Sequence, residues 1–221
     1  MKVKVLLINF INLILRNFLY PTLLMIFLSF ELAINSLLEL NMNQKFGLLV
    51  IGVFFVSLLT SMNFLKNDAA VNRYLFQKIN NYWLYFLMQV LTLTIVAIFS
   101  AIVMSIFSFT FSINSIVAIL PLATTGLVGV GIAFICKPQW NNHPYIAQIG
   151  IVVFVYIALA GTGDNILNYI QWFIPPVSKV ITIFQEQSSI RALIPVSIQQ
   201  LVYSCVLIIL SGTFYEKKMS N

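Results

Sequence analysis

Histidine and cysteine, which serve most often in metal sites and as activated catalytic groups, are scarce in this sequence, and no common catalytic motif is present. His143 is the only histidine, so a metal site built on two or more histidines lacks its second ligand. Cys136 and Cys205 stand alone within or beside apolar segments, which favours small core residues over a disulfide or a metal site. The motifs G-x-S-x-G, H-E-x-x-H and G-x-x-x-x-G-K-[ST] are all absent. We therefore predict that the chain is not an enzyme, holds no metal or cofactor and binds no nucleotide in a P-loop of its own.

The composition is that of a protein solvated by lipid. Of the 221 residues, 60% are hydrophobic and 8% are charged, whereas a soluble domain is roughly half apolar and about a quarter charged. Nearly all Lys and Arg lie in short connections between long apolar runs. The formal charge of +6 needs no nucleic acid to explain it, since no basic stripe with interleaved aromatics is present. Without an evident repeat or linker, residues 1–221 are predicted to form one all-α membrane domain.

Six apolar segments are predicted to cross the membrane, since a span needs about 20 residues. They cover residues 18–38, 46–65, 82–107, 113–136, 145–160 and 192–215. The fifth segment is the shortest, because Gly161-Thr162-Gly163-Asp164 interrupts its apolar run.

The positive charges predict the orientation of these spans. With the N-terminus in the cytosol, nine basic residues are cytosolic and three are outside. The nine are Lys2, Lys4, Arg16, Lys66, Arg73, Lys78, Lys137, Lys217 and Lys218, and the three are Lys45, Lys179 and Arg191. An odd number of spans would place the Lys217-Lys218 tail outside. The count therefore predicts six spans with both termini in the cytosol.

The first 16 residues predict a helix that lies in the membrane interface. One stripe of this helix is polar and the other is apolar. The polar stripe consists of Lys2, Asn9, Asn12 and Arg16. The apolar stripe consists of Leu6, Phe10 and Leu13. A signal peptide is the alternative, because Lys2 and Lys4 precede an apolar stretch. Two asparagines and an arginine interrupt that stretch, however, and no small-residue cleavage site follows closely.

The connection between the second and third spans predicts a cytosolic amphipathic helix. The run KNDAAVNRYLFQKINN contains neither Gly nor Pro, and Val71, Leu75 and Ile79 form an apolar ridge at i, i+4 and i+8. Such a helix can rest in the headgroups or dock into a groove on a soluble partner, and the sequence favours neither.

The outer segment from Gly161 to Arg191 is too long for a turn and too hydrophobic for a solvated loop. Asp164 is placed to cap a helix formed by NILNYIQWFI, Pro175-Pro176 would end it, and VSKVITIFQEQ would form a second short helix. Neither helix is long enough to span, so the pair predicts a re-entrant hairpin packed against protein. The alternative is two interfacial helices with Tyr169 and Trp172 in the aromatic belt.

Two features inside the spans also bear on function and packing. Glu31 is the one acidic residue well inside a span, and a charge there should face the bundle or be neutralised. The alternatives for Glu31 are a proton-relay role, a substrate contact, a structural hydrogen bond to another helix and a position nearer the outer interface. Gly126, Gly129 and Gly131 in the fourth span predict close helix packing.

Taken together, this layout resembles the permease subunit of a type-2 ATP-binding cassette (ABC) exporter, over nearly the whole chain. The resemblance implies that residues 1–16 are an elbow helix, residues 67–80 a coupling helix that fits a groove on an ATPase, and residues 161–190 an outer gate. The coupling residues it implies are Asn67, Asp68, Val71, Arg73, Tyr74, Leu75 and Lys78. The gate residues it implies are Gly161, Gly163, Asp164, Trp172, Pro175 and Pro176.

The resemblance further implies a homodimer, or a pair with a similar permease. The preference for Lys over Arg and the abundance of Ile, Asn and Phe suggest AT-rich coding, so we expect the plasma membrane of a bacterium. Two separate ATPase subunits would bind ATP and Mg²⁺ and shift the permease between states of different access. Short external loops and few interior charges favour an amphipathic or hydrophobic cargo, such as a toxin or antimicrobial peptide. The alternatives are an exporter of lipid, drug or haem-pathway cargo, an immunity protein that sequesters a peptide, and an ion-coupled carrier or channel that uses Glu31 and Asp164 without an ATPase.

Overall fold

A computed structural model describes residues 2–38, 41–71, 81–108, 113–139, 144–160, 174–187 and 190–219. Within these ranges the chain consists of eight α-helices and one short 3-10 helix. The helices are α1 (Lys2–Arg16), α2 (Leu19–Leu38), α3 (Met42–Val71), α4 (Tyr82–Ser108), α5 (Ile113–Gln139), α6 (Pro144–Ala160), α7 (Val177–Gln187), the 3-10 helix (Ile190–Leu193) and α8 (Ile194–Met219). The all-α class predicted from the sequence is confirmed.

Five helices are long and apolar enough to cross a membrane. Their apolar parts are Leu19–Leu38, Gln44–Asp68, Tyr82–Phe107, Ala118–Cys136 and Ile194–Phe214. The segment predicted as the fifth span forms α6, which has 17 residues and whose apolar part, Ala147–Ala160, is shorter than the other five. The helix ends are called inner and outer below, according to the orientation that the basic residues predict.

Helix α5 is the centre of the bundle. Its span is 78% buried, whereas that of α2 is 17% buried, and it packs most extensively on α3 and α8. Gly126 and Gly129 face α3, where a Cβ at Gly129 would lie 2.8 Å from the Phe54 carbonyl oxygen. Gly131 faces α8 at Leu207 and Ser204. The predicted role of these glycines in close packing is confirmed.

Helix α1 packs its apolar face on the inner ends of α3 and α4. Leu6, Phe10 and Ile14, at i, i+4 and i+8, are buried. The Phe10 ring meets Phe64 of α3 and Tyr85 of α4 edge-on, with ring centroids 5.4 and 5.3 Å apart. The apolar stripe predicted for the N-terminal helix is therefore turned mainly towards protein.

Candidate functional site

The predicted coupling segment begins as a continuation of the second span. Helix α3 runs unbroken from Met42 to Val71, so Asn67, Asp68 and Val71 lie on its last turns. The remaining predicted coupling residues lie outside the described residues. These are Arg73, Tyr74, Leu75 and Lys78.

Asp68 faces α4 within the same chain. Its side chain is 3% exposed, and both carboxylate oxygens lie 2.7 Å from the Tyr85 hydroxyl, which donates to them. The Gln89 amide also donates to Oδ2. We call Asp68, Tyr85 and Gln89 the inner cluster. Because hydrogen bonds to a carboxylate are stronger than those between neutral groups, this cluster fixes the inner end of α3 to α4.

Asn67 sits beside the inner cluster with a different role. Its amide donates to Asn63 Oδ1 at 3.1 Å, one helical turn earlier on α3. The side chain is half-buried. Asn67 thus stays at the helix surface, and of the two adjacent predicted coupling residues only Asp68 is turned inwards.

Substituting Asp68 with asparagine tests whether this residue is an anchor. Asparagine removes the negative charge that strengthens these hydrogen bonds and replaces one of the two acceptor oxygens with a donor, so we expect a loss of about 1–3 kcal/mol in the free energy of unfolding. Unfolding of the isolated chain in mixed micelles measures it. Glu186→Gln, an acid-to-amide change at an exposed position of α7, is the matched control and should change little. If Asp68→Asn were as stable as the parent chain, Asp68 would not be an anchor between α3 and α4, and its predicted role as a partner contact would remain.

The structure describes the second half of the predicted outer hairpin. Helix α7 begins at Val177 and ends at Gln187, as the run VSKVITIFQEQ predicted, and Pro175 and Pro176 are buried immediately before it. The other predicted gate residues and the first helix of the hairpin lie outside the described residues. These gate residues are Gly161, Gly163, Asp164 and Trp172.

Helix α7 is held by the outer ends of α3 and α8. Val177, Val180 and Phe184 form its buried face, and the Phe184 ring packs on Phe46 with centroids 4.3 Å apart. On the side towards α8, Lys179 Nζ donates to Gln199 Oε1 at 3.3 Å. The described part of the outer segment is thus packed against the bundle.

A buried hydrogen-bond network joins the chain before α7 to α5 and α8. Gln200 of α8 is fully buried, and its Nε2 donates to the Pro176 carbonyl at 3.1 Å and to Thr125 Oγ1 at 3.0 Å. Thr124 Oγ1 donates to Gln200 Oε1 at 2.6 Å. We call Thr124, Thr125, Pro176 and Gln200 the outer cluster.

The outer cluster lies within the spans, inwards from their outer ends. Gln200 follows Ile194, the first residue of the α8 span, by six positions, and Thr124 follows Ala118, the first residue of the α5 span, by six. At 1.5 Å per residue, both lie roughly 9 Å in from the outer ends. The Pro176 carbonyl reaches this level, since it accepts the Gln200 hydrogen bond.

Sequence reasoning missed Gln200. It considered only charged residues inside spans, whereas a buried amide in lipid also needs partners on neighbouring helices. The signal was present, because Gln199-Gln200 interrupts the apolar run of the last span. Charged and neutral polar residues inside a span therefore merit the same attention.

Glu31 lies on the face of α2 that packs against the bundle. With Tyr20, Leu24 and Leu28 it forms the buried stripe of this helix, and it is 4% exposed. On the same stripe, the Tyr20 hydroxyl is 3.1 Å from Ser100 Oγ of α4. Glu31 is thus turned towards the bundle, which is the first of the two outcomes expected for a charge at that depth.

The described part of the chain is all-α, with five helices that are long and apolar enough to cross a membrane. Comparison of the chain with protein-family models, with curated proteins and with solved structures gave no match. Among the described residues, no three His, Cys, Asp or Glu side chains are grouped so as to hold a metal ion.

Proposed function

We propose that the chain is the membrane-spanning permease subunit of an ATP-driven exporter of the ABC class. The observation that carries this proposal is the Gln200 hydrogen bond to the Pro176 carbonyl. It supports an outer segment that enters the bundle below the ends of α5 and α8, as a gate on a transport path does. A solvated external loop would have no reason to place a backbone carbonyl there.

The inner side supports the same proposal. Helix α3 continues past its apolar span to Val71, which supports a helical segment that projects into the cytosol towards a partner. Asp68 anchors the base of this segment on α4 through Tyr85 and Gln89. A partner that moves residues 67–80 would therefore also move α4.

The proposed topology has six spans, with α6 as the fifth and both termini in the cytosol of a bacterial cell. Helix α6 has 17 residues and extends about 26 Å at 1.5 Å per residue. This length is close to the thickness of the hydrocarbon core, roughly 30 Å. Residues 161–190 then form a re-entrant hairpin, of which α7 is the second arm. Two copies of the chain, or one copy and a similar permease, would sit on two ATPase subunits that bind ATP and Mg²⁺.

The proposed cargo is an amphipathic or hydrophobic peptide. Among the described residues, the buried polar side chains are mostly hydroxyls, with Glu31 and Asp68 as the charged ones. Such an interior suits apolar cargo better than a sugar or an ion. Lipid, drug or haem-pathway cargo is the alternative within the same class.

Co-purification with an ATPase tests the proposal. The tagged chain, expressed in its native host, should enrich a P-loop ATPase, and Arg73→Glu or Leu75→Asp should reduce that enrichment by roughly tenfold, the loss of about 1.4 kcal/mol of binding. Lys45→Glu, a basic-to-acidic change at the outer end of α3, is the matched control and should leave enrichment unchanged. Failure to enrich any ATPase, with transport intact in both coupling variants, would overturn the proposal.

An ion-coupled carrier is the second candidate, because Glu31 is buried about 12 residues into the α2 span. A buried carboxylate at that depth is a common element of ion and proton pathways. Transport that persists in ATP-depleted vesicles, stops on collapse of the ion gradient and is lost in Glu31→Gln would favour this candidate over the exporter.

A further inference from the structure

We propose that the outward face of α1 is a binding surface for anionic phospholipid headgroups of the cytosolic leaflet. The inference rests on the membrane placement given under the proposed function. It does not depend on an ATPase partner or on the cargo.

The contacts of α1 place it at the level of the headgroups. Phe10, near its centre, packs on Phe64 and Tyr85. Phe64 precedes Asp68, the last residue of the α3 span, by four positions, and Tyr85 follows Tyr82, the first residue of the α4 span, by three. Helix α1 therefore lies beside the point where two spans end, within about one helical turn.

The outward face of α1 combines apolar and basic side chains. Ile8 and Leu15, seven residues apart on one line of the helix, are exposed, and Lys4 and Arg16 are exposed near the two ends of that line. Opposite them lies the buried face of Leu6, Phe10 and Ile14. A second apolar face flanked by cations is the pattern of a helix that rests in the membrane interface.

The exposed charges of α1 and of the adjacent inner end of α3 are positive, and Glu216 of α8 accepts a hydrogen bond from Trp83 of α4. Residues 1–30 include Lys2, Lys4 and Arg16 and contain neither Asp nor Glu. Lys66 is exposed at the neighbouring end of α3, while the carboxylate of Asp68 is turned inwards to Tyr85 and Gln89. No exposed acid of the described inner ends of α1 to α3 offsets these cations, so the face complements a negatively charged leaflet.

The turn after α1 adds an aromatic side chain to the same surface. Phe18 is 79% exposed and has a φ of 32°, a left-handed conformation that a residue with a side chain adopts only at some cost. Its exposure between α1 and the first span suits the interface, where Phe and Leu are typical of the apolar face of an interfacial helix. A soluble acidic protein would match the cations of α1 but would leave Ile8, Leu15 and Phe18 without apolar partners.

Lipid titration of the purified chain tests the inference. The chain in neutral detergent is titrated with phosphatidylglycerol or with phosphatidylcholine, and the rise of its unfolding temperature gives a half-saturating lipid fraction. A basic residue near an anionic surface contributes about 1 kcal/mol, so each substitution should raise the half-saturating phosphatidylglycerol fraction about fivefold. Lys4→Gln combined with Arg16→Gln should therefore raise it more than tenfold and leave the phosphatidylcholine titration unchanged.

The controls separate a headgroup site from general effects. Lys45→Gln, at the predicted outer end of α3, should keep the parent titration, and the double variant should unfold at the parent temperature without added lipid, because both side chains are exposed. A parent-like phosphatidylglycerol titration in the double variant would overturn the inference. If the double variant also lost a co-purified protein, that result would show that the outward face of α1 binds a protein partner instead of lipid. Since no nucleotide or ATPase is present, the result is independent of the exporter proposal.

Discussion

Replacing Gln200 with leucine is expected to release the segment before α7 from the bundle. The substitution removes the donors to the Pro176 carbonyl and to Thr125, and the acceptor of the Thr124 hydroxyl. Hydrogen bonds between membrane helices are worth on average about 0.6 kcal/mol and up to about 1.7. Because three are lost at one buried site, we expect a total of about 2–3 kcal/mol. That free energy corresponds to at least a thirtyfold rise in the opened population, about 1.4 kcal/mol being tenfold.

Cysteine modification measures this opening. Ser178, at the start of α7, is buried, so Ser178→Cys in a background with Cys136→Ala and Cys205→Ala should react slowly with a membrane-impermeant maleimide. Adding Gln200→Leu should raise the modification rate about thirtyfold or more. Gln148→Leu, at an exposed position of α6, makes the same chemical change without the network and should leave the rate as it was. Equal rates in both variants would show that the outer cluster does not hold this segment.

Replacing Gly129 with alanine is expected to have the second large effect. An added Cβ would lie 2.8 Å from the Phe54 carbonyl oxygen and 3.2 Å from the Leu58 nitrogen. Both atoms belong to the α3 backbone, so α3 and α5 must move apart. Overpacking of this kind costs about 1–3 kcal/mol, and the free energy of unfolding in mixed micelles should fall by that amount.

Gly150→Ala is the matched control for this change. The nearest atom to an added Cβ there is Cys136 Sγ at 3.8 Å, an ordinary contact. Alanine favours the helix over glycine by about 0.5–1 kcal/mol, so this variant should be as stable as the parent chain or slightly more stable. Equal stability of the two variants would contradict the central packing of α5 on α3.

Sequence reasoning performed best where local chemistry decides the structure. The start of α7 follows from Pro176, because proline is tolerated where a helix begins but not in its interior. The buried face of α1 follows from the spacing of Leu6 and Phe10. The central place of α5 could be anticipated from its glycines. In each case the residues concerned are close together in the chain.

The inner and outer clusters depend on contacts between distant residues, which the sequence pattern did not predict. Asp68 flanks the apolar ridge of Val71, Leu75 and Ile79, and the resemblance to a permease assigned it to the coupling helix. Its burial depends on Tyr85 and Gln89, which are 17 and 21 residues away in the chain. Gln200 and Pro176 are likewise joined only by the fold, 24 residues apart. A periodic pattern shows which side of a helix is apolar, but it does not show which helix meets that side.

The outer cluster has a consequence for the order in which the chain matures at the ribosome. Gln200 belongs to α8, which is synthesised after the other described helices, whereas Thr124, Thr125 and Pro176 emerge earlier. Until α8 has inserted, the Pro176 carbonyl lacks its Gln200 donor, and Gly131 of α5 lacks the Leu207 surface on which it packs. The segment before α7 therefore acquires its final position late in biogenesis. A nascent chain arrested before α8 would present this segment to the membrane-insertion machinery without the contact that retains it in the mature protein.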